Sequence, residues 1–226
     1  MFLLRTPTLC KKQWDLLVYV IMIRKNFLNC KLNLSNLSSK DQHESFMKDF
    51  DLLKERCPSC NAVGQCRIHG YYNRNIVDFQ DGKVICEILS IARALCTCGH
   101  SHGILTDPIV PYRQYSLTFI LHVLKVWFTH ELSLEKIQEI YGVSHNLLKK
   151  WKDVFLKHKN LWLGIVRSRQ VSFLDFLERL LSMDPFSAFS SGFFRKTLYS
   201  FLQTHANPTN CRHHPPGFLL SGSPCT

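Results

Sequence analysis

Four cysteines, arranged as two closely spaced pairs, carry side chains that can bind one metal ion. Cys57 and Cys60 lie in the segment CPSC, and Cys96 and Cys98 lie in the segment LCTCGHSHG. Two thiolates in a tight turn can both reach one ion, and a second such turn completes the tetrahedral set of four ligands that Zn²⁺ prefers. The sequence therefore predicts a structural zinc site whose ligands are Cys57, Cys60, Cys96 and Cys98.

Other ligand sets stay open because the second pair has an unusual spacing. Its CxC spacing is one residue shorter than the usual CxxC, although Gly99 directly after it relaxes the turn. His100 and His102 offer nitrogen ligands, so one histidine can replace one cysteine, and free thiols without a metal are a further interpretation. Cys66 and His69 lie near the first pair, and we expect them to be packing or surface groups.

The segment between the two cysteine pairs has the pattern of a β-hairpin. Runs rich in β-branched and aromatic residues lie on both sides of Asp81 and Gly82, a dipeptide that is typical of a two-residue turn. A hairpin would return the second cysteine pair to the first, as in a zinc ribbon. The sequence thus predicts a zinc-ribbon β-hairpin module at 57–105.

The second half of the chain has the spacing of amphipathic helices. Ser116, Ser133 and Ser144 each precede a helical pattern and can cap it, and Gly142 stands where the second helix would end. The apolar residues expected to face inward are Leu117, Ile120, Leu121, Leu124, Trp127 and Phe128, then Leu134, Ile137 and Ile140, then Leu148, Trp151 and Phe155. Two further amphipathic stretches are expected, one after Ser172 and one at 191–205.

These elements predict an α+β fold in which the zinc-ribbon β-hairpin module is followed by an all-α helix-turn-helix bundle. The connector TDPIVPY disfavours helix because of its two prolines, so a domain boundary is expected there. The expected regions are a partly disordered leader and linker at 1–56 with a short helix at 41–54, the module at 57–105, the helical domain at 112–205, and a disordered tail at 206–226.

The segment SLEKIQEIYGVSHNLLKKW fits the helix-turn-helix plan. Gly142 would make the turn, Val143 would fill the space between the helices, and the second helix would enter the DNA major groove. Asparagine can pair with adenine and lysine can reach guanine or phosphate, so the residues expected to touch DNA are His145, Asn146, Lys149 and Lys150, with Lys152, Lys157 and Lys159 on backbone phosphates.

The charge of the chain agrees with a polyanionic partner. The formal net charge is +11, and residues 145–159 carry five lysines against one aspartate. The alternative is that these lysines form a solvated helix face. The apolar run at 14–23 is too short to span a bilayer and has no cleavage site after it, so we expect a cytoplasmic protein without a membrane partner, in which cysteines stay reduced.

Three segments together resemble one family: CPSCNAVGQCRIHGYYNRNIVDF, LCTCGHSHGILTDPIVPYRQYSL and LEKIQEIYGVSHNLLKKWKDVFLKHKNLW. It is a family of short, uncharacterised bacterial proteins with an N-terminal zinc ribbon and a transposase-type helix-turn-helix, related to the DNA-binding ends of insertion-sequence transposases. The likeness covers about 50–205, and the CxC pair departs from the CxxC that is more usual in the family. The resemblance implies recognition of double-stranded DNA linked to mobile elements. A separate transposase protein is a candidate partner that would supply catalysis.

The expected function is therefore that of a zinc-stabilised DNA-binding protein, either a transposase targeting subunit or a remnant of one. A small transcriptional regulator and a protein-interaction scaffold without DNA binding are the alternatives. Four protein ligands would leave no open position on the ion, and the acids after residue 160 are Asp175, Glu178 and Asp184, in a segment that predicts helices. We therefore expect no enzyme activity in this chain.

Overall fold

The computed structural model describes residues 22–25, 37–182, 186–197 and 199–204. Over these ranges the chain is a mixed α+β protein, as predicted, with a three-stranded antiparallel sheet, a short parallel fourth strand and six α-helices. The strands are β1 (Met22–Lys25), β2 (Cys66–Gln80), β3 (Lys83–Cys96) and β4 (Ser101–Thr106). The helices are α1 (Ser39–Asp49), α2 (Leu117–Phe128), α3 (Leu134–Tyr141), α4 (His145–Ile165), α5 (Phe173–Ser182) and α6 (Phe186–Thr197), and a single 3-10 turn covers Leu52–Lys54.

The sheet is built around the predicted hairpin. Its strand order is β1-β4-β3-β2, with β1 parallel to β4 and the other neighbours antiparallel. Asp81 and Gly82 form the two-residue turn, with φ angles of 49° and 78°, which confirms the predicted turn. The antiparallel register places Cys66 opposite Cys96 at the far end of the hairpin, where the cysteine pairs lie.

The three predicted helix caps are confirmed. The side chains of Ser116, Ser133 and Ser144 each accept a hydrogen bond from the backbone N–H three residues later, at 3.0, 3.4 and 3.4 Å. Gly142 has a φ of 64°, a left-handed conformation that ends α3 at the predicted position.

A core of apolar and aromatic residues lies between the helices. On α4, Leu148, Trp151 and Phe155 are all at most 1% exposed, as predicted. On α3 the predicted inward position of Ile140 is wrong, because this side chain is 50% exposed and Tyr141 is buried instead. At about 100° per residue, position 141 falls between the directions of Leu134 and Ile137, whereas position 140 turns away from them.

Two predicted helix bounds differ from those observed. The helix expected at 41–54 is α1, Ser39–Asp49, which packs against β3 and β4. The stretch expected at 191–205 begins earlier, at Phe186, and its helix ends at Thr197. The predicted tail at 206–226 lies outside the described residues. Among the helices that the structure describes, none combines the length and the apolar character needed to cross a bilayer.

One buried carboxylate joins the sheet to two helices. Asp78 on β2 is 2% exposed; its Oδ2 accepts from the backbone N–H of Ser39 at 2.6 Å, at the beginning of α1. Its Oδ1 accepts from the Ser116 hydroxyl at 2.6 Å and the Thr118 hydroxyl at 3.1 Å, at the beginning of α2, and from the Phe79 N–H at 2.9 Å. A negative charge is favourable beside the positive end of a helix dipole, so Asp78 stabilises both helix beginnings.

Candidate functional site

The four cysteines of the two predicted pairs meet at one end of the hairpin. Their sulfur atoms all lie within 4.8 Å of one another. The Cys57 and Cys98 sulfurs are 3.7 Å apart, and the Cys60 and Cys96 sulfurs are 3.6 Å apart. A tetrahedral zinc site with bonds of about 2.3 Å requires sulfur–sulfur distances of about 3.8 Å. The four cysteines can therefore hold one metal ion. We call them the four-sulfur site.

Each pair is held by a turn that its own sequence allows. In the first turn, the Cys57 N–H donates to the Ala62 carbonyl at 2.9 Å, and the Asn61 N–H donates to the Cys57 carbonyl at 2.8 Å. In the second turn, Gly99 adopts a φ of 85° and its N–H donates to the Cys96 carbonyl at 2.9 Å. This left-handed glycine allows the shortened CxC pair to turn both sulfurs toward the first pair.

The site has a protein side and a solvent side. Cys57 and Cys96 are 1% and 2% exposed and belong to a small apolar core, whereas Cys60 and Cys98 are exposed. Phe46 of α1 packs against the same core. The exposed pair leaves a route by which an ion can reach the sulfurs.

The two histidines after the second pair lie against individual sulfurs. His102 is buried on β4, with its Nε2 3.3 Å from the Cys57 sulfur. The Nδ1 of His100 is 3.5 Å from the Cys98 sulfur. In these positions each imidazole N–H can donate a hydrogen bond to a thiolate, a contact that orients a metal ligand and stabilises its charge. From the sequence both histidines were expected only as substitute ligands, although two histidines directly after a cysteine pair are also a signal for such supporting contacts.

The packed thiols influence one another's ionisation. The Cys98 backbone N–H beside the Cys96 sulfur lowers the pKa of Cys96 to about 6. Burial and the nearby Cys96 and Cys57 sulfurs raise the pKa of Cys66 to about 12. Cys66 is 3% exposed and is not one of the four convergent cysteines, in agreement with its prediction as a packing residue. Closely spaced thiolates repel one another, and a bound cation would offset this repulsion.

The first turns of α4 present the predicted polar residues to solvent. Val143 is fully buried between α3 and α4, as predicted. Four exposed residues form this surface, which we call the α4 face: His145, Asn146, Lys149 and Lys150. The His145 ring lies edge-on to Trp127, with 6.1 Å between centroids.

Two of the lysines predicted to contact phosphates have protein partners. Lys159 is 7% exposed and its Nζ donates to the Val171 carbonyl at 2.6 Å, so its predicted phosphate contact is wrong. It follows Phe155 by four residues and therefore lies on the inward stripe of α4. Lys152 is half-buried, with its Nζ 5.3 Å from the Phe128 ring centroid, a cation–π contact that fixes the ammonium group at the edge of the α4 face. Lys157 is exposed.

Comparison with known proteins gives one family match. Residues 57–141 match the model of a domain of unknown function (DUF6431). The matched region begins at the first cysteine of the four-sulfur site, runs through the predicted domain boundary and ends at the last residue of α3. No curated protein and no solved structure matches the chain significantly.

Proposed function

We propose that this protein is a zinc-stabilised DNA-binding protein, related to the DNA-binding ends of insertion-sequence transposases and acting as a targeting subunit or a remnant of one. The observation that carries the proposal is the α4 face, which follows a short helix, a glycine turn and a buried valine. A cytoplasmic location would keep the cysteines reduced and able to bind the ion.

The geometry around Gly142 supports a helix-turn-helix. Gly142 ends α3 in a left-handed conformation, Val143 packs between the two helices, and Ser144 caps α4 directly afterwards. This arrangement leaves the N-terminal turns of α4 exposed, and those turns reach base edges when a recognition helix enters the major groove. Asn146 is suited to adenine, and Lys149 and Lys150 to guanine or phosphate.

The four-sulfur site supports zinc as the ion. Four thiolates whose sulfurs all lie within 4.8 Å of one another are a soft donor set, which favours zinc over magnesium or calcium. With four protein ligands the ion has no open position for a reacting water, so its role in this proposal is structural and any catalysis belongs to a separate transposase protein. The ion would join the turn at Cys57 to the end of the hairpin and so complete a zinc ribbon ahead of the helix-turn-helix.

Selection of bound duplexes from a random DNA pool, with zinc measured in the same preparation, tests both parts of the proposal. We expect one zinc per chain and an enriched sequence. Enrichment of the terminal repeats of a mobile element supports the transposase relation, whereas a palindrome bound by a dimer indicates a transcriptional regulator instead.

The α4 face is tested by the salt dependence of binding to the selected duplex. Replacing Lys149 and Lys150 together by glutamine should lower the affinity and reduce the slope of log K against log salt by about two, if each lysine contacts one phosphate. The matched control replaces Lys48 and Lys83, two exposed lysines outside the helices of the proposed motif, and should leave the slope unchanged. Equal slopes for all three proteins would refute DNA contact by the α4 face and favour the scaffold function.

A further inference from the structure

A basic cavity on the sheet has no role in the function proposed so far. Its volume is about 340 Å³, and it is lined by residues of β2, β3, β4 and the connector that follows β4. We call it the arginine cavity. The polar residues that line it are His69, Tyr72, Arg74, Arg93, Ser101 and Tyr112. None of the cysteines of the four-sulfur site lines it.

Contacts with the protein hold the donors of this cavity in place. The Arg93 guanidinium carbon lies 5.1 Å from the centroid of the Tyr72 ring. Arg74 donates from Nη2 to the Val110 carbonyl at 2.7 Å, which leaves its other N–H groups available. His69 Nε2 and Ser101 Oγ are 3.3 Å apart. Such contacts reduce the freedom that these groups lose when a ligand binds, and this favours affinity.

The cavity carries positive charge without a matching acid. No aspartate or glutamate lines it, and in the part of the chain that the structure describes no carboxylate lies within 4.0 Å of Arg74 or Arg93. Arg74 is half-buried, and this burial lowers the pKa of its guanidinium. A partly desolvated cation gains from a bound anion, so the cavity favours an anionic ligand.

The number and arrangement of the donors indicate which anion. Two guanidinium groups, three hydroxyl groups and an imidazole surround the space. A carboxylate has two oxygens in one plane, whereas a phosphate group accepts hydrogen bonds from several directions and pairs well with guanidinium forks. Tyr112 is 62% exposed and has a left-handed φ of 61°, so its ring stands at the rim, where it can contact a sugar or a base.

We propose that the arginine cavity binds a phosphate group, with Arg93 and Arg74 as the main donors. The identification of its source as a backbone phosphate of DNA rests on the function proposed above. A free phosphate ester is the other source of the same chemistry. In the complex with DNA, the cavity provides a second contact, made by the β-sheet module in addition to the α4 face.

The first arm of the test uses inorganic phosphate and the full-length, zinc-loaded protein. Titration with phosphate at constant ionic strength, followed by amide NMR, should shift the resonances of Ser101, Gly103 and Tyr112. The shifts should be lost in Arg93→Gln and retained in Arg67→Gln. Arg67 is an exposed arginine on the same hairpin that does not line the cavity, so this control has the same change of charge.

The second arm uses the duplex from the selection experiment. Arg93→Gln should reduce the salt slope of DNA binding by about one, Arg93→Lys should keep the slope while weakening affinity, and Arg67→Gln should match the wild type. Because Arg74 also bonds the backbone, Arg74→Lys is a second variant that preserves its charge.

The outcomes separate this inference from the proposed function. Phosphate shifts together with a reduced DNA slope support a DNA phosphate in the cavity. Phosphate shifts in a protein that binds no DNA support the cavity with a free phosphate ester and refute the proposed function alone. If neither arm distinguishes Arg93→Gln from Arg67→Gln, the arginine cavity is refuted as a phosphate site, even when the α4 face binds DNA.

Discussion

Replacement of Asp78 by asparagine should destabilise the protein although it preserves the shape of the side chain. The best orientation of the amide keeps its oxygen where Oδ1 accepts three hydrogen bonds, including those from Ser116 and Thr118. The amide nitrogen then faces the Ser39 N–H, which loses its 2.6 Å bond and has a donor opposite it. A buried donor without a partner costs about 1–3 kcal/mol.

The loss of charge adds to this cost. Asp78 lies at the beginnings of α1 and α2, and a negative charge at a helix N-terminus contributes about 0.3–1 kcal/mol at each. The free energy of unfolding should therefore fall by about 1.6–5 kcal/mol, the sum of these contributions. A domain near the middle of the ordinary stability range of about 5–15 kcal/mol would remain folded, so the effect can be measured.

Urea denaturation of the zinc-loaded protein, followed by circular dichroism, measures this difference. Asp81→Asn is the matched control, since Asp81 is exposed in the hairpin turn and asparagine accepts its left-handed φ of 49°. The control should change the free energy of unfolding by less than about 0.5 kcal/mol. If Asp78→Asn changed it no more than Asp81→Asn does, the reasoning that Asp78 joins the sheet to both helices would be refuted.

Three further predictions concern the ion and pH. Chelation should unfold the region 57–103 and preserve the helices after 116. A proteolysis pattern and a circular dichroism spectrum that stay native-like after metal removal would contradict this. Cys57→Ser should lower the bound zinc well below one per chain in mass spectrometry, whereas Cys86→Ser, an exposed cysteine outside the four-sulfur site, should not. Burial lowers the pKa of His43 from 6.5 to about 4 in the folded protein. Between about pH 6.5 and about pH 4 the unfolded chain therefore binds a proton on His43 that the folded chain does not. As pH falls through this range, the free energy of unfolding should decrease by up to about 3 kcal/mol. His43→Asn should remove that part of the pH dependence, and a constant difference between the two proteins across this range would contradict it.

Local signals in the sequence were sufficient for most of the secondary structure. A capping serine acts on an N–H three residues away, and a two-residue turn depends on the φ angles of its own residues, so Ser116, Ser144 and the Asp81–Gly82 turn could be predicted without the fold. The convergence of the four cysteines was also predictable, because a hairpin between two pairs must return the second pair to the first.

The contacts between distant segments could not be predicted in this way. Lys159 reads as one more surface lysine, and only the packing of α4 shows that it is buried and bonded to Val171. In the sequence Asp78 is a polar residue near a hairpin turn, with no local sign of its role. Its hydrogen-bond partners Ser116 and Thr118 lie 38 and 40 residues after it, and Ser39 lies 39 residues before it.

The sequence by itself thus determined the capped beginnings of α2, α3 and α4, the position of the hairpin turn, and which sulfurs can share an ion. The tertiary structure alone decided which charged groups are buried and which remain available, as with Lys159 on α4 and Arg93 in the arginine cavity. The physical reason is range: capping and turn formation act within a few residues, whereas burial and charge compensation depend on neighbours that only the folded chain brings together.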